Sequence, residues 1–238
     1  MKKVIIIGAT SGIGRELAKL FVQHDCLVAA TGRRKELLAS FEREYPKKII
    51  TESFDVMGDQ NIQHLNSLID RLGGMDIFIY NSGYGDPSLD LEWEIDKQTT
   101  LINVNGFVEM VNHAFNYFVR QGHGQIAGTS SIASIRGSSW APAYSASKAY
   151  MSTYMEGLSI KAHKMKKEIY ITDIQPGFVK TKMAKGNGQF WVSSVEKATQ
   201  QIFNAMQKKK RRVYITKRWW LIAKILKITP YSLLKKFT

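Results

Sequence analysis

Residues 4–14 read Val4-Ile5-Ile6-Ile7-Gly8-Ala9-Thr10-Ser11-Gly12-Ile13-Gly14, and this order of residue types decides the fold. Four consecutive apolar residues halted by glycine have the length of a buried β-strand, and apolar residues three and four apart over 15–24 place a helix directly after it. The glycines between them are spaced G-x-x-x-G-x-G. They let the chain turn tightly and bring free backbone N–H groups, with the positive end of the helix, toward a pyrophosphate. Met1, Lys2 and Lys3 have the look of an export signal, but glycine breaks the apolar run at once, so secretion is not expected.

The alternation continues outward from this stretch. Strand-length apolar runs at 27–31, 49–54, 77–80, 125–130 and 169–174, with 213–215 as a seventh, are separated by helix-period segments at 61–72, 101–120, 143–164 and 195–207. The pattern predicts an α/β fold: a Rossmann-like, doubly wound, mostly parallel seven-stranded sheet with helices on both faces. Residues 1–207 are expected to form one domain, followed by a basic amphipathic helical extension over 208–238 that can take in the last strand.

The chain has 238 residues, 44% hydrophobic and 23% charged, which excludes disorder and a small disulfide-stapled scaffold. Cys26 has no partner for a disulfide, and the five histidines show no metal-ligand spacing, so a reducing, cytoplasmic setting without a metal site is expected. The net charge is +14, and its distribution is uneven: 208–238 holds eleven basic residues and no acidic one, against 23 basic and 20 acidic residues in 1–207.

After the second strand stands Thr31-Gly32-Arg33-Arg34. A ribose 2′-hydroxyl calls for a carboxylate here, whereas a 2′-phosphate calls for positive charge and no carboxylate, so Gly32 and Arg33 favour NADP(H) over NAD(H). Asp55, after the third strand, suits an adenine amino group or a turn cap. Tyr144 and Lys148 sit at i and i+4 near the start of a helix, on one face. A phenol titrates near ~10, and an ammonium beside it with an oxidised nicotinamide nearby would bring it toward neutral pH as a general acid and base. Ser131 ends the fifth strand on the same carboxyl edge of the sheet.

In order, these motifs make the chain resemble the short-chain dehydrogenase/reductase family in its single-domain form: Gly8/Gly12/Gly14, Asp55, Asn81-Ser82-Gly83, Asn103-Val104-Asn105-Gly106, Ser131, Tyr144/Lys148 and Pro176-Gly177-Phe178-Val179-Lys180-Thr181. The resemblance covers about residues 1–205. It implies an NADP(H)-dependent oxidoreductase interconverting a ketone or aldehyde and an alcohol. Tyr144 would be the proton donor, Ser131 would polarise the carbonyl, Lys148 would hold the nicotinamide ribose and Asn105 a proton-relaying water. The same resemblance puts Gly8, Thr10, Ser11, Gly12, Ile13, Gly14, Arg33, Asp55, Val56, Asn81, Ser82, Gly83, Pro176, Gly177, Val179 and Thr181 against the cofactor. It also suggests a homodimer or homotetramer built through 101–120 and 143–164. Ile7, Ser82 and Ser11 depart from the family's usual Thr, Ala and basic residue at these positions.

Substrate choice is expected from 182–192, where Met183, Phe190 and Trp191 could close as an apolar lid, with Trp140 near Tyr144 adding apolar surface and favouring a hydrophobic, lipid-like substrate. Over 213–228, at about 100° per residue, Lys217, Lys224 and Lys227 cluster while Trp219, Leu221, Ile222, Ala223, Ile225 and Leu226 spread over a broad arc. Two readings stay open: a peripheral element on an anionic membrane surface, or a helix packed on its own body or a second subunit. A non-catalytic NADP-binding sensor or scaffold is the alternative function, and nucleic-acid binding is the least favoured.

Overall fold

The computed structural model describes residues 1–181 and 189–235; 182–188, which include Met183 of the expected lid, lie outside the described residues. The strands are β1 (Lys3–Ile7), β2 (Leu27–Gly32), β3 (Ile49–Ser53), β4 (Ile77–Tyr80), β5 (His123–Thr129), β6 (Glu168–Pro176) and β7 (Arg212–Ile215). They form one sheet in the order β3-β2-β1-β4-β5-β6-β7, every pairing parallel. The central strands read as unbroken apolar runs because both faces are covered. Ile5, Ile7, Phe78 and Tyr80 enter one core, and Val4, Ile6, Ile77 and Ile79 enter the other. The strand period of two thus divides each strand between the two layers.

Helices α1 (Gly12–Gln23), α2 (Lys35–Glu44), α3 (Asn61–Leu72), α4 (Trp93–Thr100), α5 (Phe107–Gln121), α6 (Pro142–Lys164) and α7 (Val195–Gln207) fill the connections, with α8 (Trp219–Ile228) and α9 (Tyr231–Leu234) after β7. Helix α1 buries Gly14, Leu17, Ala18 and Phe21, the i, i+3, i+4, i+7 stripe of a helix lying on a sheet. Pro142 opens α6 at a position where its missing N–H costs nothing. Because the chain leaves β1 toward β2 on one side and later returns to β4 on the other, the carboxyl ends of β1 and β4 frame a crevice at the switch point.

The expected helix over 101–120 is interrupted: Leu101–Gly106 is a π-helical turn, and regular α-helix starts at Phe107. A Cβ on Gly106 would lie 2.7 Å from the Val56 carbonyl oxygen, and the buried Tyr80 hydroxyl donates to the Ile102 carbonyl at 2.6 Å. These contacts hold the widened turn against β4. The fifth strand stops at Thr129, two residues before Ser131, which instead caps a short 3-10 turn, Ile132–Ile135.

The basic stretch after 207 is not one element. Strand β7 divides it, leaving Lys208–Arg212 at the amino edge of the sheet and α8 at the carboxyl edge. Arg212 pairs with Asp173 and Glu156, and Arg211 with Glu156, so part of the charge holds β7 and α6 together.

Candidate active site

Gly8 (φ +87°) and Gly12 (φ +56°) occupy left-handed backbone that side chains disfavour. A Cβ on Gly14 would sit 2.1 Å from the Gly8 carbonyl oxygen, and one on Gly8 would sit 2.6 Å from the Ser82 nitrogen. Helix α1 therefore starts closer to β1 than any other residue would permit, leaving a backbone-lined hollow of the kind a pyrophosphate fills. Asn81 fixes its rim, donating to the Gly8 carbonyl at 2.9 Å and accepting from Thr129 at 3.0 Å. From the other side, the Thr181 methyl comes within 3.3 Å of a Cβ built on Gly12. This brings the segment that follows Pro176, the last residue of β6, over the glycine loop, with Val179 buried beneath it. Ile13 packs against the core on the α1 side of the sheet.

At the end of β2 the Arg34 guanidinium reaches toward this loop. Arg34 donates to the Thr10 and Ser11 hydroxyls, at 2.5 and 2.7 Å. Arg33 lies 3.5 Å from Asp55. The other Asp55 oxygen accepts from the Met57 nitrogen at 3.1 Å, so this carboxylate caps a turn and faces Arg33. Buried Val56 turns its carbonyl toward Asn61 at 3.0 Å. Arg34 immediately precedes α2. Its reach across to Ser11 is visible only once the strand order brings β1 and β2 side by side.

At the other end of the crevice Ser131 is near enough to the Tyr144 phenol to influence it, and the Ser131 oxygen caps the nitrogen of Ala133 at 3.1 Å. Lys148, buried one turn along α6, donates to the Thr129 carbonyl at 2.8 Å and lies 5.7 Å from the centre of the Tyr144 ring. Burial pushes the Tyr144 phenol up, and Ser131 opposes this only in part. Burial also pushes the Lys148 amine down, to about 7, against the pull of the Asp173 charge. Gly85 went unnoticed in the sequence, yet a Cβ there would fall 2.0 Å from the Tyr144 ring.

Asn105 does not join this group: it is exposed on the π turn. The buried asparagine is Asn103, whose amide accepts from the Tyr84 nitrogen at 3.0 Å and donates to the Tyr84 carbonyl at 2.7 Å and to Ser147 at 2.9 Å. Two asparagines two apart in one turn point different ways, and sequence spacing alone does not choose between them.

Behind the catalytic residues, buried Asp173 accepts from Ser130, from Ser152 at 2.6 Å, from Gln175 at 2.7 Å and from Arg212 at 3.1 Å. Ser130 precedes Ser131, and Ser152 lies one turn beyond Lys148, so this carboxylate ties the Ser131 turn and α6 to β6. Above the site, buried Trp219 packs edge-on against Phe178 and close to Phe190 and Trp191. A Cβ on Gly177 would lie 2.1 Å from its indole. Arg136, in the loop after Ser131, donates to the carbonyls of Leu226, Lys227 and Thr229 at the end of α8. Among the described residues no group of His, Cys, Asp and Glu could hold a metal.

Residues 2–190 match the family model described as short chain dehydrogenase. An oxidoreductase of Myxococcus xanthus is 31% identical over 192 residues, covering 78% of this chain and 75% of its own. A short chain dehydrogenase from Burkholderia cenocepacia, solved in complex with NADP, superposes with a TM-score of 0.84 at 19% identity over all of both chains. The closed form of a serine dehydrogenase complexed with NADP+ gives 0.80 at 23% identity, over 89% of this chain and 92% of that one. This chain belongs to the short-chain dehydrogenase family, oxidoreductases acting on CH–OH groups.

Proposed function

We propose that the protein is an NADP(H)-dependent reductase that interconverts an apolar ketone or aldehyde and its alcohol. The observation that carries this reading is the buried Lys148 amine one helical turn from Tyr144, whose phenol is close enough to Ser131 to be influenced by it. Bound NADPH would supply the hydride. Tyr144 gives its proton to the carbonyl oxygen as charge develops there, and Ser131 hydrogen-bonds the same oxygen. Lys148 is placed to reach a ribose hydroxyl and then to lower the phenol. The π turn that carries Asn103 and Asn105 lies beside α6, where Asn103 donates to Ser147, and a water held there would pass protons to Lys148.

The glycine hollow, Asn81 and Thr181 fit a dinucleotide. Preference for the 2′-phosphate rests on Arg34 beside the Thr10 and Ser11 hydroxyls and on the neighbouring, exposed Arg33, together with the absence of a carboxylate at Gly32; a Cβ there would lie 2.7 Å from Thr10. The NADP in two similar solved structures agrees with it. An apolar substrate is supported by the aromatic group Phe178, Phe190, Trp191 and Trp219 above the crevice.

The test is oxidation of NADPH and of NADH with a series of ketones and aldehydes of increasing chain length. Faster turnover with NADPH, rising with chain length, is expected. Preference for NADH, or for short polar carbonyls, would overturn the corresponding half of the reading.

A further inference from the structure

Helix α8 has two unlike sides. Trp219 and Ala223 are buried against the body, while Trp220, Leu221, Ile225 and Ile228 are 49%, 51%, 48% and 81% exposed. The exposed positions follow i, i+1, i+5 and i+8 and spread over about 140° of the outer side of the helix, with Lys224 among them. Lys217, Lys224 and Lys227 are exposed, and among the described residues none of the three forms an ion pair. Lys224 lies over the Trp220 ring at 4.2 Å. The two alternatives left open by the sequence are therefore both present on one helix: it packs on its own body, and it keeps a second apolar face in water.

We propose that this outer face of α8 seats on an anionic bilayer surface, with the mouth of the substrate crevice held against the lipid. A tryptophan-bearing apolar face interleaved with exposed lysines, one of them stacked over the tryptophan, is the composition of an interfacial helix. No carboxylate lies anywhere in 208–238 to oppose the lysines. No described helix is long and apolar enough to cross a membrane, so the helix lies on the surface.

A second copy of the chain fits this face less well. The acidic surface available to it is the arm before and within α4, where exposed Leu89, Leu91 and Trp93 alternate with carboxylates. That arm uses Glu92 to hold Ser88 and Glu94 to hold Lys97. On a bilayer the same arm would be repelled, tilting the molecule so that α8 leads.

The clamp of Arg136 on the end of α8 and the packing of Trp219 on Gly177 couple the seated helix to the loops after β5 and β6. Delivery of an apolar carbonyl from the bilayer rests on the reductase reading; the docking itself does not.

The experiment is co-sedimentation of the full chain with phosphatidylcholine vesicles, with and without phosphatidylglycerol, across a salt series, with a turnover assay on the same preparations in solution. Two double variants accompany it, Lys224→Glu/Lys227→Glu and Trp220→Ser/Ile225→Ser, all at exposed positions. NADPH binding reports that each is folded. The wild type is expected to pellet with the anionic vesicles only, losing most of that binding at high salt, and either double variant should lower the bound fraction at least tenfold. Equal pelleting of wild type and variants would overturn the proposal. So would no pelleting at all, or a dimer in sedimentation velocity that the lysine variant dissolves. A protein that pellets but turns nothing over would instead sink the reductase reading and leave the docking intact.

Discussion

Ser131 and Lys148 are buried, the Tyr144 ring is packed on Gly85, and Asp173 fixes both of their elements from behind. The roof over the same crevice, made of 189–192 and α8, exposes much of its aromatic and aliphatic surface. The first region is held by hydrogen bonds between strands and a helix that leave little room for alternative geometry. The second is held by ring packing and one arginine clamp. The difference assigns reaction chemistry to the rigid floor and substrate choice, with any surface contact, to the roof.

If that division is right, changes in the floor should abolish turnover for every substrate, and changes in the roof should redistribute it. The largest effect short of removing the acid is expected from Lys148→Met, which should cut kcat/KM by about 100-fold or more for all carbonyls alike. It also carries a stability signature. Lys148 titrates at about 7 in the folded chain against 10.5 for an ordinary lysine, so between those values the unfolded chain binds the extra proton. Its contribution to stability is therefore least below pH 7 and rises toward pH 10, by about 1 kcal/mol per pH unit. Denaturant unfolding at pH 7 and 9 should show this rise in the wild type and a smaller one in Lys148→Met.

Asp173→Asn comes next. The buried charge that pulls the Lys148 amine up is lost and Arg212 keeps only its Glu156 pair, so stability should fall by about 3 kcal/mol. The pH at which Lys148 loses its proton should move lower, read as an acid shift in the activity profile. An unchanged profile would show that Asp173 only packs.

Trp219→Ala should raise KM for long-chain substrates about tenfold while leaving kcat for a short carbonyl within about twofold, because it opens the roof without touching the floor. A uniform fall in kcat would erase the distinction between the two regions. The smallest effect is expected from Arg33→Ala, a loss of NADPH affinity of about tenfold with NADH affinity unchanged, since the remaining Arg34 still faces the phosphate position. Nicotinamide fluorescence titration measures it.

The floor was legible in the sequence because its constraints are local. Glycines with positive φ, a Tyr and Lys one helical turn apart and unbroken apolar strands each announce themselves within a few residues, and the seven strands follow from them. What escaped depends on distant pairing. Helix α4 buries only Thr99, so it has no apolar stripe to read. Arg34 and Gly85 gain their meaning from neighbours more than twenty residues away. Asn103 and Asn105 share a spacing that the π turn alone resolves. The basic tail looked like one device because composition does not reveal that β7 passes through the sheet between its two halves.

Tyr144→Phe tests the central claim most directly, with NADPH binding and carbonyl reduction measured on the same preparation. The phenyl ring keeps its packing on Gly85, so cofactor affinity should stay within about twofold while turnover falls by a factor of 10² to 10⁴, the range of a lost general acid. Turnover within tenfold of the wild type would contradict the assignment of Tyr144 as the proton donor and, with it, the reading of this site.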